Sequence, residues 1–125
     1  MNKVSDGSFS VGFKTPKFWD LSKDIKINIA YAIDQVDDGK IIKLQTKVWA
    51  ITTSPFVIGT PNATGVDNVV LSSGALNTRF SVLLTNGKLS APLTQDAYVI
   101  VQVTRQASLD DYPGIISIMD VEFYQ

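Results

Sequence analysis

DIKINIAYAI, residues 24–33, decides the fold class. Ile25, Ile27, Ile29, Tyr31 and Ile33 recur at every second position, with Lys26 and Asn28 between them. Side chains of an extended strand point alternately to its two faces, so this period marks a strand with one face in a core and the other toward water. On a helix the same residues would scatter around the axis. The next run, KIIKLQTKVWAI at 40–51, repeats the pattern: Ile42, Leu44, Thr46, Val48 and Ala50 share a face opposite Lys43, Gln45 and Lys47. Between the two runs stands Asp37-Asp38-Gly39, a turn signal, so the pair predicts a hairpin closed through Asp38-Gly39.

Working outward, the same alternation returns on both sides. GSFSVGF at 7–13 puts Phe9, Val11 and Phe13 in phase, and AYVIVQVTR at 97–105 does the same for Val99, Val101 and Val103. LNTRFSVLL at 76–84 alternates through Leu76, Thr78, Phe80, Val82 and Leu84, and VDNVVL at 66–71 is a shorter strand. GIISIMDVEFY at 114–124 predicts the last strand. TTSPFVIGTPNATG at 52–65 holds Pro55, Gly59, Pro61 and Gly65, so it reads as a long connection with one short strand at 56–58. Asn86-Gly87 marks another turn. About eight short strands with turn residues between them, and no helix, predict one all-β domain over 1–125. The expected architecture is a single antiparallel β-sandwich of jelly-roll (Greek-key) topology; an immunoglobulin-like sandwich is the alternative.

Composition bounds the chemistry. The chain has 125 residues, 45% hydrophobic and 18% charged, which suits one folded domain. Net charge is -1 and the pI about 5.1, with no basic stripe to neutralise phosphates, so no nucleic-acid partner is expected. Cysteine and histidine are both absent. Disulfides, thiol chemistry and the commonest general base and metal ligand go with them, and no cofactor is expected. Glu122 is the sole glutamate among 12 acidic residues. Aspartate favours turns where glutamate favours helices, which again argues for strands. The start MNKVSDGSFS has no apolar core of a signal peptide, and no run approaches a membrane span, so neither secretion nor a membrane is expected.

Three groups of side chains are candidates for a role. Arg105 precedes a polar loop with Asp110 and Asp111. A carboxylate folding back onto the guanidinium would clamp the Tyr112-Pro113-Gly114 turn; paired aspartates could instead serve as acid and base in a hydrolase. The clamp is the expectation, because no second polar cluster accompanies the pair. Phe18 and Trp19, after Pro16, either plug the end of the fold or, with Trp49, offer an aromatic platform to a sugar ring. Asp37-Asp38-Gly39 could contribute to a calcium site but lacks the spaced acids of a dedicated loop. The Asn62-Ala63-Thr64 acceptor tripeptide carries no weight without a secretion signal. Finally, several strands carry apolar residues on both faces. Ile41 and Trp49 oppose the phase of their strand, as do Tyr98 and Ile100. In the last strand Ile116 and Ile118 oppose Ile115, Met119, Val121 and Phe123. Connections could cover these residues; alternatively Ile41, Trp49, Tyr98, Ile100, Ile116 and Ile118 form one patch and a subunit interface.

The approach PKFWDLSKDIKINI, the strand AYVIVQVTR, the loop DDYPG and the aromatic-ended VEFY together resemble small jelly-roll virion structural proteins of tailed bacteriophages, of the kind found in marine viral sequence. In that group a Trp/Tyr-Asp step leads into the first strand, and an arginine is followed by an acidic loop and a final strand. The resemblance covers most of the chain in outline; its specific residues lie at the two ends, and residues 52–76 carry none of them. It implies a virion component made in the host cytoplasm, often a trimer on a capsid, fibre or tail, with other virion proteins as partners; a host-surface glycan is the partner that the aromatic residues Phe18, Trp19 and Trp49 would take. It implies no catalytic residues, and assigns Arg105 with Asp110 or Asp111 to a fold clamp. The alternative function is a carbohydrate-binding module using Trp19 or Trp49.

Overall fold

The computed structural model describes residues 7–20, 23, 25–34, 39–51, 59–70, 80–84 (backbone only) and 97–125. Seven strands run through them: β1 (Ser8–Lys14), β2 (Lys26–Ile33), β3 (Ile41–Ile51), β4 (Ala63–Val70), β5 (Phe80–Leu84), β6 (Tyr98–Arg105) and β7 (Ile116–Tyr124). The short strand expected at 56–58, the Asn86-Gly87 turn and Asp37-Asp38 lie outside the described residues.

All pairings are antiparallel, in two sheets of order β1-β6-β3-β4 and β5-β2-β7. β2 and β3 therefore lie in different sheets, and the two runs flanking Asp38-Gly39 do not form the expected hairpin. Alternation tells which face a residue takes but not which strand it pairs with. β3 pairs instead with β4 and β6. Gly39, at φ +79°, does adopt the left-handed backbone that glycine tolerates at no steric cost.

The alternating residues meet in one core drawn from both sheets. Ile27 and Ile29 of β2, Ile42, Leu44 and Val48 of β3, and Val99, Val101 and Val103 of β6 are all buried, with Phe9, Val11 and Phe13 of β1 packed alongside. Thr46 sits at the same inward period and is fully buried, its hydroxyl without a hydrogen bond among the described residues. The outer positions Lys43, Gln45, Lys47, Trp49, Tyr98, Ile100 and Gln102 are half-buried, forming the far face of the four-stranded sheet.

β7 departs from its predicted phase. Opposite Ala30 lies Asp120, but opposite Tyr31 lies Ile118, so Met119 is an extra residue in the ladder. Such a bulge shifts the side-chain phase by one. Ile116 and Ile118 before it and Val121 and Phe123 after it all face the core, while Met119 is turned out and 60% exposed. Ile116 and Ile118 thus leave the proposed outer patch: Ile116 is only 1% exposed.

Candidate functional site

Arg105 holds the last inward position of β6, in phase with Val99, Val101 and Val103, and is fully buried. Burying a guanidinium costs several kcal/mol unless its N–H groups are met. Here the loop that follows meets them. Nε donates to Asp110 Oδ2 at 2.8 Å and Nη2 to Asp110 Oδ1 at 3.0 Å, a forked pair with neither side chain exposed. Nη1 donates to the Gly114 carbonyl at 2.7 Å and Nη2 also to the Tyr112 carbonyl at 2.6 Å. The Tyr112 ring, itself buried, lies 5.5 Å from the guanidinium carbon.

Asp111 points elsewhere. Its Oδ1 accepts from the Ile41 N–H at 2.6 Å, and its own N–H donates to the Ile41 carbonyl at 3.3 Å, tying the loop to the start of β3. Asp34, just past β2, was not singled out from sequence. Its Oδ1 accepts from the Ile115 N–H at 2.8 Å and the Tyr112 hydroxyl at 3.2 Å. Nothing in the local sequence marks it, since its partners are 78 and 81 residues away. Gly114 is needed here for space: a Cβ would run into the Asp34 carboxylate and the Tyr112 ring. The loop 106–115 thus binds β6 and β3 of one sheet and the end of β2 in the other.

The two aspartates are committed to separate partners, Asp110 inward to Arg105 and Asp111 to the Ile41 backbone. An acid–base pair must instead converge on one accessible point. The geometry gives each carboxylate its own partner within the fold and so holds the loop.

The opposite end of β6, about 20 Å away at strand rise, is closed by aromatics. Trp19 packs edge-on to Phe13 (centroids 5.7 Å, 71°), and Phe13 lies 4.8 Å from Phe123. The Gln125 side chain, also missed from sequence, makes a two-way bond with the backbone of Asp20: Nε2 donates to the carbonyl at 2.7 Å and Oε1 accepts from the N–H at 2.9 Å. Phe18 alone stands clear, 86% exposed. Trp49 is on the outer face of the four-stranded sheet, its indole N–H donating to the Gly59 carbonyl at 2.9 Å. Trp19 and Trp49 therefore belong to different surfaces, and the structure does not assemble Phe18, Trp19 and Trp49 into one platform.

The expected interface residues separate as well. Trp49 and Ile100 are cross-strand partners, and Tyr98 is next to them opposite Ile51. Ile41 is paired with Val70 near the clamp loop, the whole length of β3 away. Among the described residues, no group of three or more His, Cys, Asp or Glu is placed to hold a metal ion, and no helix is long and apolar enough to cross a membrane. Comparison with family models, with curated proteins and with solved structures gave no match.

Proposed function

We propose that this chain is a non-enzymatic structural protein of a bacteriophage particle: a jelly-roll sandwich that assembles as a homo-oligomer, with a trimer favoured. The observation that carries the proposal is the clamp. The arginine and acidic loop that suggested the virion proteins form a buried brace between the two sheets. The other stretch behind the resemblance, Phe18-Trp19-Asp20, meets the last strand through Phe123 and Gln125, so both signature regions secure the same closing strand.

Strand pairing supports the jelly roll. The ladders β1–β6, β2–β5 and β3–β4 are nested like the rungs of one long antiparallel ribbon, and successive rungs alternate between the two sheets. A jelly roll is such a ribbon rolled up; β7 then adds beside β2. Trp49, Tyr98 and Ile100 on the outer face are the apolar residues that association would bury, each contributing up to roughly 1.5–3 kcal/mol if it were fully exposed beforehand. Their partial burial in the single chain lowers that figure, so polar contacts must add to it.

Native mass spectrometry of the purified chain tests the assembly, with three subunits expected; a monomer at micromolar concentration would reject it. Proteomic detection of the chain in purified, nuclease-treated phage particles tests the location.

A further inference from the structure

We infer, resting on the homo-oligomer proposed above, that the subunits join head to tail: the outer face of the four-stranded sheet of one copy seats on the β7 rim of the next.

The inference comes from how charge is divided. Among the described residues, the outer face of β1-β6-β3-β4 carries Lys14, Lys43 and Lys47 and no Asp or Glu, although the chain as a whole has 12 acids and 11 bases. Register sets the rest of that face. Gln102 is beside Lys47, Thr104 beside Gln45, and Ile100 beside Trp49. At one end Tyr98 lies so close over Gly12 that a Cβ there would strike its ring, so the aromatic side chain is laid flat across the sheet. The result is a flat, basic, amide-rich surface with an apolar end.

β7 is its counterpart. It is one of the two edge strands of the three-stranded sheet among the described residues, β5 being the other. Ser117, Met119, Asp120, Glu122 and Tyr124 all point outward and are exposed. The bulge is what delivers Met119 to this side. Two acids flanked by a methionine and a tyrosine match lysines flanked by Trp49, Ile100 and Tyr98 in both charge and apolar content. Complementary potentials of this kind select partner and orientation.

Neither surface pairs well with itself: one has lysines without acids, and on the other Asp120 and Glu122 outweigh Lys26 of the neighbouring β2, whose Nζ lies 5.7 Å from the Tyr124 ring centroid. A two-fold contact of either surface with itself would therefore set mostly like charges together. A contact between two different patches is heterologous and closes into a ring when the rotation per subunit allows. The four strands, of 7, 8, 11 and 8 residues in the order β1-β6-β3-β4, pair over a face roughly 19 by 26 Å, about 500 Å² in plan, so the loops at its border must add to reach a contact of about 800 Å² per partner.

The test is charge exchange on the intact chain, read by native mass and sedimentation in about 0.05 M and about 0.5 M salt, where screening differs strongly. Lys47→Glu and Glu122→Lys should each weaken association about tenfold or more at low salt, and Lys47→Glu/Glu122→Lys in one chain should restore it. Circular dichroism and melting of each variant guard against misfolding, because both sites are on the surface. If the wild type is a monomer, the assembly proposal itself falls. If the wild type is an oligomer indifferent to both single changes, only the head-to-tail inference falls. Loss with Lys47→Glu that Glu122→Lys does not rescue overturns it in favour of another contact. Lys47-dependent retention on dextran sulfate by a monomeric chain overturns it in favour of an acidic glycan on the same face.

Discussion

Arg105→Ala should be among the most damaging single changes in this chain. The guanidinium is fully buried and makes four hydrogen bonds, two to Asp110 and one each to the carbonyls of Tyr112 and Gly114. Truncation leaves a carboxylate with no exposed surface facing an empty site. Breaking a buried pair from one side costs about 3–5 kcal/mol. Two carbonyls lose their donor as well, each worth about 1–3 kcal/mol if water does not reach it. The vacated space would admit water, so these costs overlap and a total near 4–5 kcal/mol is expected. A domain of this size has only about 5–15 kcal/mol in hand, so the variant should be at the edge of folding at 25 °C. Urea unfolding followed by circular dichroism and by tryptophan fluorescence would give the difference, with an unchanged slope showing that the same surface is exposed. Arg105→Lys is the informative companion. Lysine keeps the charge but lacks the planar fork, so it should recover only part of the loss. A penalty below about 1 kcal/mol for Arg105→Ala, the range of an exposed pair, would refute the brace.

Thr46→Val replaces a buried hydroxyl that has no hydrogen-bond partner among the described residues by a methyl of the same shape, so it should stabilise by about 1 kcal/mol in the same urea assay; a loss of stability would mean the hydroxyl has a partner. Burial raises the Tyr31 hydroxyl above its ordinary pKa of 10.0. The folded state therefore holds this proton more tightly than the unfolded chain does. Its contribution is complete below pH 10 and is lost as pH climbs from there through the folded value. Alkaline melting curves should show this loss, and Tyr31→Phe should lessen it; an identical alkaline slope in the variant would reject the assignment.

Much of this fold was legible because alternation is a local signal. The inward sets of β1, β3 and β6 could be counted directly, and Arg105 simply continues the count of Val99, Val101 and Val103 into the loop. What failed was whatever depends on partners distant in sequence. Asp38-Gly39 looks like a hairpin turn from either side, yet β2 and β3 belong to different sheets. Asp34 looks like any aspartate after a strand until Tyr112 and Ile115 arrive to be held. In the last strand the strict two-residue count put Ile116 and Ile118 outside. A warning was present: a strand apolar in both phases, with Asp120 interrupting one of them, is what a bulge looks like when counted without a break.

The bulge follows from how the last strand is fastened. At its start, Ile115 is bonded to Asp34 in both directions: its N–H donates to the side chain, and its carbonyl accepts the Asp34 N–H at 3.3 Å. Arg105 fixes the two carbonyls just before it, at Tyr112 and Gly114. At its end, the Gln125 amide locks onto Asp20 while Phe123 stacks with Phe13. Between these anchors β7 has 9 residues where its partner β2 has 8. One residue must leave the ladder, and it does so at Met119, opposite the Ala30–Tyr31 step. Without that release a single register would run the length of the strand, and either Ile116 and Ile118 or Val121 and Phe123 would be forced into water. The clamp at one end and the aromatic plug at the other thus set the position of the closing strand, and the bulge lets both halves of it keep their apolar side chains in the core.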